Sequence, residues 1–520
     1  MIKPEEVTTV KEILSNWKDK KIDGKAIDKQ FELDGHPLSW FYRPILFSGL
    51  LPPPFPQAAD YLTKSKPAPS SWKCLAFRTS LRISDSIKQL ILSRRKELTD
   101  SQKKILFLTF TNHANKNNWP FREEKIIPII QADHKVGTYI LGVDPLSTLS
   151  PKKLRHFSHS LYQYCDNNII TLAKKKSEQL ENRWQKISLE QKRELFRYNK
   201  EEIYTYFQAN LDFLYSAEFI FLINKYYYCF LQLLEKENII AAVSSSQNNI
   251  MEKCLIAACH KKNIPVFVVQ HGIALGYIPT LDPLPNVYFE IWGEKYKHDL
   301  LAHGVPAKQV QVTGPLIFDG IEKHLHPPTT SYPKIMLATS PLIEDNFMDK
   351  NSYFQKIKII LAEIKKLNLP LIIKPHPREK YAAEYLQLAQ ELGLDATLSS
   401  AQDRDVHYAL ISDCSLILTF GSTVALEAMI MGRPTITIKM FDHLNPANQI
   451  IINSGVTPIV SYQDSFAPIA LSSLKNKQQK TTQFIENICS QLDGKSAERI
   501  VQNIYQKIKV KNSSVSVPSS

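Results

Sequence analysis

The sequence predicts an α/β protein with two lobes, each built around a parallel sheet. Short apolar runs of strand length recur along the chain, and helical patterns lie between most of them. The length of 520 residues is ample for two domains and an accessory segment. Hydrophobic residues at 43% and charged residues at 22% are ordinary values for a globular protein.

Four segments are predicted along the chain. Residues 1–100 form an N-terminal accessory segment, in which the aromatic cluster Trp40–Tyr42 is expected to pack on a neighbouring lobe and Leu51–Pro56 is an extended connector. The first lobe spans 101–314 and carries a helical insertion at about 151–236. The second lobe spans 315–510, and residues 511–520 form a disordered polar tail. The predicted strands lie at 104–110, 239–244, 265–269, 287–292, 309–313, 334–339, 369–374, 395–399, 415–419 and 435–438; the predicted final helices lie at 478–492 and 495–509.

The stretch Leu416–Pro434 is the most informative part of the sequence. An apolar strand leads into Gly421, which permits a tight turn, and Ser422 or Thr423 can cap the helix that follows. Gly432 is placed to end that helix. The helix start therefore lies at the carboxyl end of a strand, where open α/β sheets bind ligands and where N–H groups favour a phosphate. By itself the motif is equally compatible with a purely structural turn.

A second apolar strand ends in a rigid basic loop, Lys374-Pro-His-Pro-Arg378. Its two prolines restrict His376 on either side. Lys374, His376 and Arg378 thus place three potential cations at a strand end. Together with the Gly421 turn, they predict a pocket for a phosphorylated or diphosphorylated ligand.

A third strand, Ile264–Val269, is followed by Gln270, His271 and Gly272. A near-neutral histidine can act as a general acid or base, which is typically worth about 10²–10⁴ in rate, or it can be purely structural. Two lobes that each offer one histidine to a shared cleft fit a transferase with two substrates.

Other first-lobe residues remain open alternatives. Glu252 and Glu218 are also candidate general bases, and their spacing does not distinguish them from His271. His113 follows the strand at 104–110 and is a candidate for the acceptor site. Asp403 and Asp405 match a metal-binding Asp-x-Asp pattern, but they precede a predicted helix. We therefore expect them to cap it, and no metal is predicted.

In chain order, four motifs resemble the bacterial surface-polysaccharide enzymes of the GT-B glycosyltransferase class. These motifs are Gln270-His-Gly272, Val312-Thr-Gly-Pro315, Lys374-Pro-His-Pro377, and Gly421-Ser-Thr423 with Glu427-Ala-Met429. The groups that they resemble are capsule Kdo transferases, polysialyltransferases and CDP-glycerol glycerophosphotransferases. The resemblance covers about residues 237–460. It implies two Rossmann-like lobes whose parallel sheets face a cleft, with an N-terminal accessory segment and a helical insertion.

The resemblance also implies roles for second-lobe residues. His376 would contact the nucleotide phosphate and help to expel it, and Ser422 and Thr423 would bind the same phosphate. Glu427 would contact the nucleotide ribose. The donor would be a CMP- or CDP-linked compound in preference to a UDP-linked one, with no further cofactor.

Three first-lobe residues belong to the same resemblance. His271 resembles the histidine of the glycerophosphotransferase Trp-His-Gly loop, a candidate base or phosphate ligand, although Gln270 stands where that family has Trp. Gly314 would lie in the turn that opens the second lobe. The implied activity is transfer of a sugar or polyol phosphate to a surface glycan or a lipid-linked acceptor, in capsule, lipopolysaccharide or teichoic-acid-like polymer synthesis.

Composition limits the partners and the compartment. The net charge of +13 is compatible with an anionic membrane surface or an anionic glycan, although each basic run alone is best explained as a solvated face. Without zinc-finger spacing or an aromatic RNA-binding motif, no nucleic acid partner is predicted. The seven cysteines are odd in number and show no paired spacing, which indicates reduced thiols. With no visible signal peptide, we expect a cytoplasmic protein, or one peripheral on the inner face of the cell membrane.

Two other functions stay open at this stage. A UDP-sugar 2-epimerase of GT-B architecture would have a similar second lobe, but it would convert a UDP-sugar without an acceptor. A non-catalytic protein that binds nucleotide sugars would keep the pocket and lack turnover.

Overall fold

A computed structural model describes most of the chain. The described residues are 20–48, 70–92, 102–110, 122–143, 159–198, 201–202, 204–273, 284–325, 333–344, 347–399, 404–440, 449–475 and 480–509. The predicted connector, the predicted disordered tail, His113 and Asp403 lie outside these ranges, so those predictions are untested. The prediction that Asp405 caps the following helix is wrong, because the helix already begins at Arg404 and Asp405 lies in its first turn.

The N-terminal segment is a small unit of short strands and two longer helices. Its elements are β1 (Lys21–Ile22), β2 (Lys25–Ala26), α1 (Ile27–Gln30), β3 (Glu32–Leu33), β4 (His36–Pro37), α2 (Leu38–Ser48) and α3 (Ser71–Leu92). Trp40, Phe41 and Tyr42 are at most 5% exposed, and the Tyr42 hydroxyl donates to the Tyr215 hydroxyl at 2.8 Å. The prediction that this aromatic cluster packs on a neighbouring part of the chain is confirmed.

The first lobe alternates strands and helices around a long helical region. Its elements are β5 (Lys104–Phe110), α4 (Ile126–Asp133), β6 (Gly137–Val143), β7 (His159–Ser160), α5 (Asn167–Lys186), α6 (Leu189–Leu195), β8 (Arg197–Tyr198), β9 (Glu201–Glu202), α7 (Tyr204–Leu214), α8 (Ala217–Lys236), β10 (Ile239–Ser244), α9 (Ile250–Lys261), β11 (Val266–Val269), β12 (Val287–Ile291), α10 (Glu294–Ala302) and β13 (Val310–Val312). Helices α5 to α8 form the helical part, in which α8 packs on α5, on α9 and on the N-terminal helix α3.

The second lobe has a simpler alternation. Its elements are β14 (Ile335–Ala338), α11 (Lys350–Lys365), β15 (Leu371–Lys374), α12 (Ala382–Glu391), β16 (Ala396–Leu398), α13 (Arg404–Asp413), β17 (Leu416–Thr419), α14 (Val424–Ile430), β18 (Thr435–Lys439), α15 (Gln449–Ser454), β19 (Ile459–Ser461), α16 (Ala467–Lys475), α17 (Lys480–Ile488) and α18 (Ser496–Lys507).

Both sheets are parallel throughout, and both have the same winding. The first sheet has the order β13-β12-β11-β10-β5-β6-β7, and the second has the order β16-β15-β14-β17-β18-β19. Counted from the first strand of each lobe, both follow the doubly wound order 3-2-1-4-5-6 of dinucleotide-binding folds. The chain reverses its winding between β5 and β10 in the first lobe and between β14 and β17 in the second. Ligands of such sheets bind outside the carboxyl ends at these switch points.

Burial on both faces explains why most strands could be predicted. All seven residues of β5 and all four of β17 are buried, so each strand is an unbroken apolar run apart from its ends. All ten predicted strands are present, with ends shifted by one or two residues. β6, β7 and β19 were missed: β6 begins with the half-buried Gly137 and Thr138, and β7 and β19 have only two and three residues.

The last two helices connect the lobes. Helix α17 contacts both α10 and α14, and α18 packs on α4 beneath the first sheet. Asp319 accepts backbone N–H bonds from Ser496 at 3.2 Å and Ala497 at 2.9 Å, which fixes the start of α18. The end of the range predicted for the second lobe therefore packs on the first lobe.

Candidate functional site

A tight turn at Gly421–Thr423, the glycine turn, follows the switch-point strand β17. Gly421 has φ +86°, which only glycine adopts without strain. The Ser422 hydroxyl lies 3.2 Å from that of Thr419 and accepts from the Val424 N–H at 3.3 Å. Of the two predicted caps, only Ser422 bonds to the first turn of α14, because the Thr423 side chain makes no cap bond. Both side chains are half-buried at the strand end.

The basic loop, Lys374–Arg378, follows the neighbouring strand β15. Lys374 is half-buried, and burial lowers its pKa while the nearby carboxyl groups of Glu427 and Glu379 oppose that effect. Glu427 lies on α14, just after the glycine turn. The ammonium group of Lys374 is therefore near enough to α14 for its charge to interact with that of Glu427.

The imidazole of His376 is oriented by the backbone of its own loop. Its Nδ1 accepts a hydrogen bond from the Arg378 N–H at 3.2 Å. A neutral imidazole that accepts at Nδ1 carries its proton on Nε2. In this arrangement Nε2 is a hydrogen-bond donor, as a ligand for phosphate oxygen requires.

Glu379, which sequence analysis did not identify, holds the basic loop in place. One carboxylate oxygen accepts from the His376 N–H at 2.5 Å and from the Thr339 hydroxyl at 2.5 Å, and the other accepts from the hydroxyls of Tyr385 and Tyr353. Burial raises the pKa of Glu379, and these hydrogen bonds act in the opposite direction. Thr339 directly follows β14, so Glu379 connects the basic loop to the switch-point strand.

His407 is a second residue that sequence analysis did not identify. Its Nε2 lies 2.8 Å from Glu427 Oε2, and both side chains are about one-eighth exposed. Its Nδ1 is buried without a hydrogen-bond partner among the described residues. Because the carboxylate can only accept, Nε2 carries the proton in this bond. His407, on α13, therefore orients the acid that the resemblance assigns to the ribose.

In the first lobe, His271 has the tautomer opposite to that of His376. Its Nδ1 lies 2.6 Å from the carbonyl oxygen of Ser245, at the carboxyl end of β10. A carbonyl oxygen only accepts, so Nδ1 must donate, and Nε2 of the neutral ring is then the basic nitrogen. A histidine held in this way can take a proton at Nε2.

Gln270 and Gly272 support the loop that carries His271. Gln270 is 5% exposed and donates to the Gly272 carbonyl at 2.8 Å. Its side-chain oxygen accepts from the Trp292 N–H at 3.0 Å, and its carbonyl accepts from the Trp292 indole at 2.9 Å. The amide of Gln270 is thus used within the loop, and it anchors the loop to the end of β12.

The remaining first-lobe candidates lie in different surroundings. Glu252 is 2% exposed, and its two oxygens accept from the Ser244 hydroxyl at 3.4 Å and the Asn249 N–H at 3.0 Å, close to the strand end that holds His271. Glu218 lies on α8 in the helical region, where it pairs with Arg82 at 3.7 Å. Of the two carboxylates, only Glu252 belongs to the switch point.

Gly314 lies where the chain leaves β13. It has φ +87°, and an added Cβ would come within 2.8 Å of the Ser496 hydroxyl and 2.9 Å of the Ser490 carbonyl. The absence of a side chain therefore lets the start of α18 approach the strand end. A direct role for Gly314 in a cleft stays a prediction.

The described residues contain neither a metal-binding cluster nor a membrane-spanning helix. Nowhere in those parts of the chain do three or more His, Cys, Asp or Glu side chains converge in a way that could hold a metal ion. No described helix combines the length and hydropathy needed to cross a bilayer. Helix α8, which is rich in Phe, Tyr and Leu, buries most of its residues in the protein core.

The fold and the site define a class: a two-lobed α/β protein of GT-B type, with polar groups collected at both switch points. No family model and no curated protein matches the chain. Similar solved structures include UDP-GlcNAc 2-epimerase from Neisseria meningitidis bound to UDP-GlcNAc, with 13% identity over 78% of this chain and 100% of that chain and a TM-score of 0.48.

Two further similar structures are those of MurG and TagF. MurG from Acinetobacter baumannii shares 12% identity over 78% of this chain and 99% of that chain, with a TM-score of 0.46. A variant of the wall teichoic acid polymerase TagF shares 14% identity over 83% of this chain and 94% of that chain, with a TM-score of 0.40. Identities of this size give no basis for transferring an activity to this chain.

Proposed function

We propose that this chain is a glycosyltransferase that moves a sugar or a polyol phosphate from a nucleotide-activated donor to an acceptor hydroxyl. The observation that carries the proposal is the pair of oppositely oriented histidines. His271 has a basic Nε2 at the end of a first-lobe strand, and His376 has a protonated Nε2 at the end of a second-lobe strand. A transfer reaction needs one group that removes a proton and one that donates to the leaving phosphate.

The proposed reaction assigns one task to each lobe. The acceptor hydroxyl loses its proton to Nε2 of His271 as its oxygen attacks the activated carbon or phosphorus. The bond to the nucleotide breaks, and its electron pair stays on the leaving phosphate oxygen. His376 donates a hydrogen bond to that phosphate, and Ser422 and Thr423 bind it through hydroxyl and backbone donors.

The donor is proposed to be CMP- or CDP-linked. The charge that develops on the leaving phosphate would be balanced by Lys374 and Arg378, which lie on the same basic loop as His376. Three basic groups at one strand end can supply this balance without a metal ion, so the reaction is proposed to be metal-independent. Glu427, oriented by His407, would accept hydrogen bonds from the ribose hydroxyls.

The acceptor is proposed to be a surface glycan or a lipid-linked intermediate of capsule, lipopolysaccharide or teichoic-acid-like polymer synthesis. The net charge of +13 supports an anionic acceptor or an anionic membrane surface, at which each nearby basic residue contributes about 1 kcal/mol. The protein would then act in the cytoplasm, at the inner face of the cell membrane.

A nucleotide panel is the first test. The purified protein is heated with CMP, CDP, UDP or GDP, and a ligand at about 100 times its dissociation constant should stabilise the fold by roughly 2.7 kcal/mol. Stabilisation by cytidine nucleotides alone supports the proposed donor. A uridine-specific shift favours a hexose transferase or the 2-epimerase, and the absence of any shift contradicts the nucleotide pocket.

A second test separates the enzyme classes. With the donor that the panel identifies, His376→Ala should lose most of its turnover and keep its unfolding temperature. His303→Ala is the matched control, because His303 is exposed and lies after α10. Conversion of a UDP-sugar without any acceptor would establish the epimerase instead. Binding without turnover in the presence of extracts that contain acceptor would identify a non-catalytic binding protein.

A further inference from the structure

Two buried carboxyl groups that the proposed reaction does not use lie at the first-lobe switch point. Glu123 comes from the connection after β5, and Glu252 lies in the first turn of α9, after β10. Each residue is 2% exposed. Arg122 is the positive group whose charge acts on both of them, and it is itself half-buried.

Ser245 joins this group to the proposed base. Its hydroxyl accepts from Arg122 Nη1 at 3.2 Å and lies close enough to Glu123 to favour the charged form of that carboxyl. Its carbonyl oxygen accepts from Nδ1 of His271 at 2.6 Å. The residue that fixes the tautomer of His271 is therefore held in place by the buried charges.

The balance of charge in this group is uneven. Two carboxyl groups share one guanidinium, in a region with little access to water. Burial raises the pKa of both acids, that of Glu123 to about 8, and the charge of Glu252 adds to the effect on Glu123. Glu123 Oε1 is also buried with no hydrogen-bond partner among the described residues, which costs less for a neutral acid than for a carboxylate.

We propose that Glu123 and Glu252 carry a single negative charge between them near neutral pH, and that this charge, opposite Arg122, is a positioning element that keeps His271 able to accept a proton. The proposal rests on the proposed function only for the role of His271 as the base. The charged and titratable groups that act on one another here are Arg122, Glu123 and Glu252, and His271 is joined to them through Ser245.

If the two carboxyl groups share one charge, the effects of the two single substitutions on the titration of His271 should not add up to the effect of the double substitution. In Glu123→Gln, Glu252 keeps the charge. In Glu252→Gln, the remaining Glu123 loses the repulsion of its neighbour and ionises at a lower pH. Only the double variant removes the last of the two carboxylates that face Arg122. Because a nearby positive charge disfavours the imidazolium, the titration midpoint of His271 should then fall by about one pH unit, against less than about half a unit in each single variant.

The test is an NMR titration of the full chain with isotope-labelled histidine, from about pH 5 to pH 9. The His271 signal is assigned by its loss in His271→Gln. Glu237→Gln is the matched control, because Glu237 is a buried carboxyl at the amino end of the same strand, β10. Equal shifts in both single variants that add in the double variant would overturn the proposal, as would no shift in any of the three.

A second measurement tests the proposal even if the double variant does not fold, because it needs only the single variant Glu123→Gln. In the infrared spectrum at pH 7, the unsubstituted protein should show a protonated carboxyl band that is weaker in Glu123→Gln. If the two spectra are identical, Glu123 is ionised and the proposal fails. Neither measurement uses a nucleotide, so either can fail while the transfer reaction stands, and the nucleotide panel can fail while the shared charge stands.

Discussion

Glu379 offers the most direct test of how the basic loop, which we propose binds phosphate, is held in place. Its carboxylate accepts from the backbone of His376 and from the hydroxyls of Thr339, Tyr385 and Tyr353. The two tyrosines and Thr339 are at most 3% exposed, so water cannot replace a lost acceptor. The change Glu379→Ala therefore leaves three buried hydroxyl donors and one backbone donor without this partner.

The size of the effect follows from these contacts. Each buried donor that loses its acceptor costs about 1–3 kcal/mol. The Tyr353 and Tyr385 hydroxyls lie 2.7 Å apart and can bond with each other, and removing a buried carboxylate recovers part of its desolvation cost. We expect Glu379→Ala to lower the free energy of unfolding by about 2–4 kcal/mol and Glu379→Gln by about half as much. Loss of the bond to His376 should also weaken CDP binding by about tenfold, which corresponds to 1.4 kcal/mol.

Urea unfolding followed by tyrosine and tryptophan fluorescence measures the first quantity, and calorimetric titration with CDP measures the second. Glu384→Gln is the control, because Glu384 lies nearby on α12 and its ion pair with Lys350 is solvent-accessible, worth at most about 1 kcal/mol. If Glu379→Ala unfolds at the same urea concentration as the unsubstituted protein and binds CDP equally well, Glu379 does not hold the basic loop.

Three other outcomes follow from the geometry. His407→Phe should weaken CMP binding by about threefold to tenfold and leave pyrophosphate binding unchanged, because it removes the partner of Glu427; equal loss for both ligands in calorimetric titrations would refute this. Gly293→Ala should cost about 1–3 kcal/mol in urea unfolding, because its Cβ would lie 2.6 Å from the carbonyl oxygens of Asn487 and Ile488. Gly272→Ala should be neutral within about 0.5 kcal/mol, because no described atom lies within 4 Å of the added Cβ. Burial raises the pKa of Glu290 from 4.5 to about 8, so its contribution to stability is present in full below pH 4.5 and is lost as the pH rises towards 8. The difference in urea midpoint, Glu290→Gln minus the unsubstituted protein, should therefore be larger at pH 8 than at pH 5. The same difference at both pH values would contradict a raised pKa for Glu290.

The sequence predicted the strands that are buried on both faces, and the reason is physical. β5 and β17 are covered by helices on both sides, so nearly every residue is apolar and the run is visible without any partner. In β6, half-buried and buried residues mix and the strand starts at Gly137, so its run is less distinct. Gly421 and Gly432 were predicted as turn positions, and both have positive φ.

The supporting residues of the site could not be predicted in the same way. His376 and the glycine turn stand out because proline, glycine and hydroxyl residues have local signatures. His407 and Glu427 are 20 residues apart on different helices, and Glu123 and Glu252 meet only because β5 and β10 are neighbours in the sheet. Such pairs depend on tertiary packing, for which one sequence carries no local pattern. Glu379 is the exception, because a carboxyl three residues after His376 is a recognisable position from which to accept a backbone bond.

The two lobes show how one topology can serve opposite tasks. Each has its winding reversal between its first and fourth strands, so the backbone offers the same crevice twice. What differs is the chemistry of the loops. The first-lobe crevice contains buried carboxyl groups and a histidine whose outer nitrogen can accept a proton, whereas the second-lobe crevice contains Lys374, Arg378 and a histidine whose outer nitrogen can donate one. The proposed reaction takes a proton from one substrate and releases a phosphate anion from the other, so it needs this asymmetry. If the two environments were exchanged, neither the protonated histidine nor the phosphate anion would be stabilised.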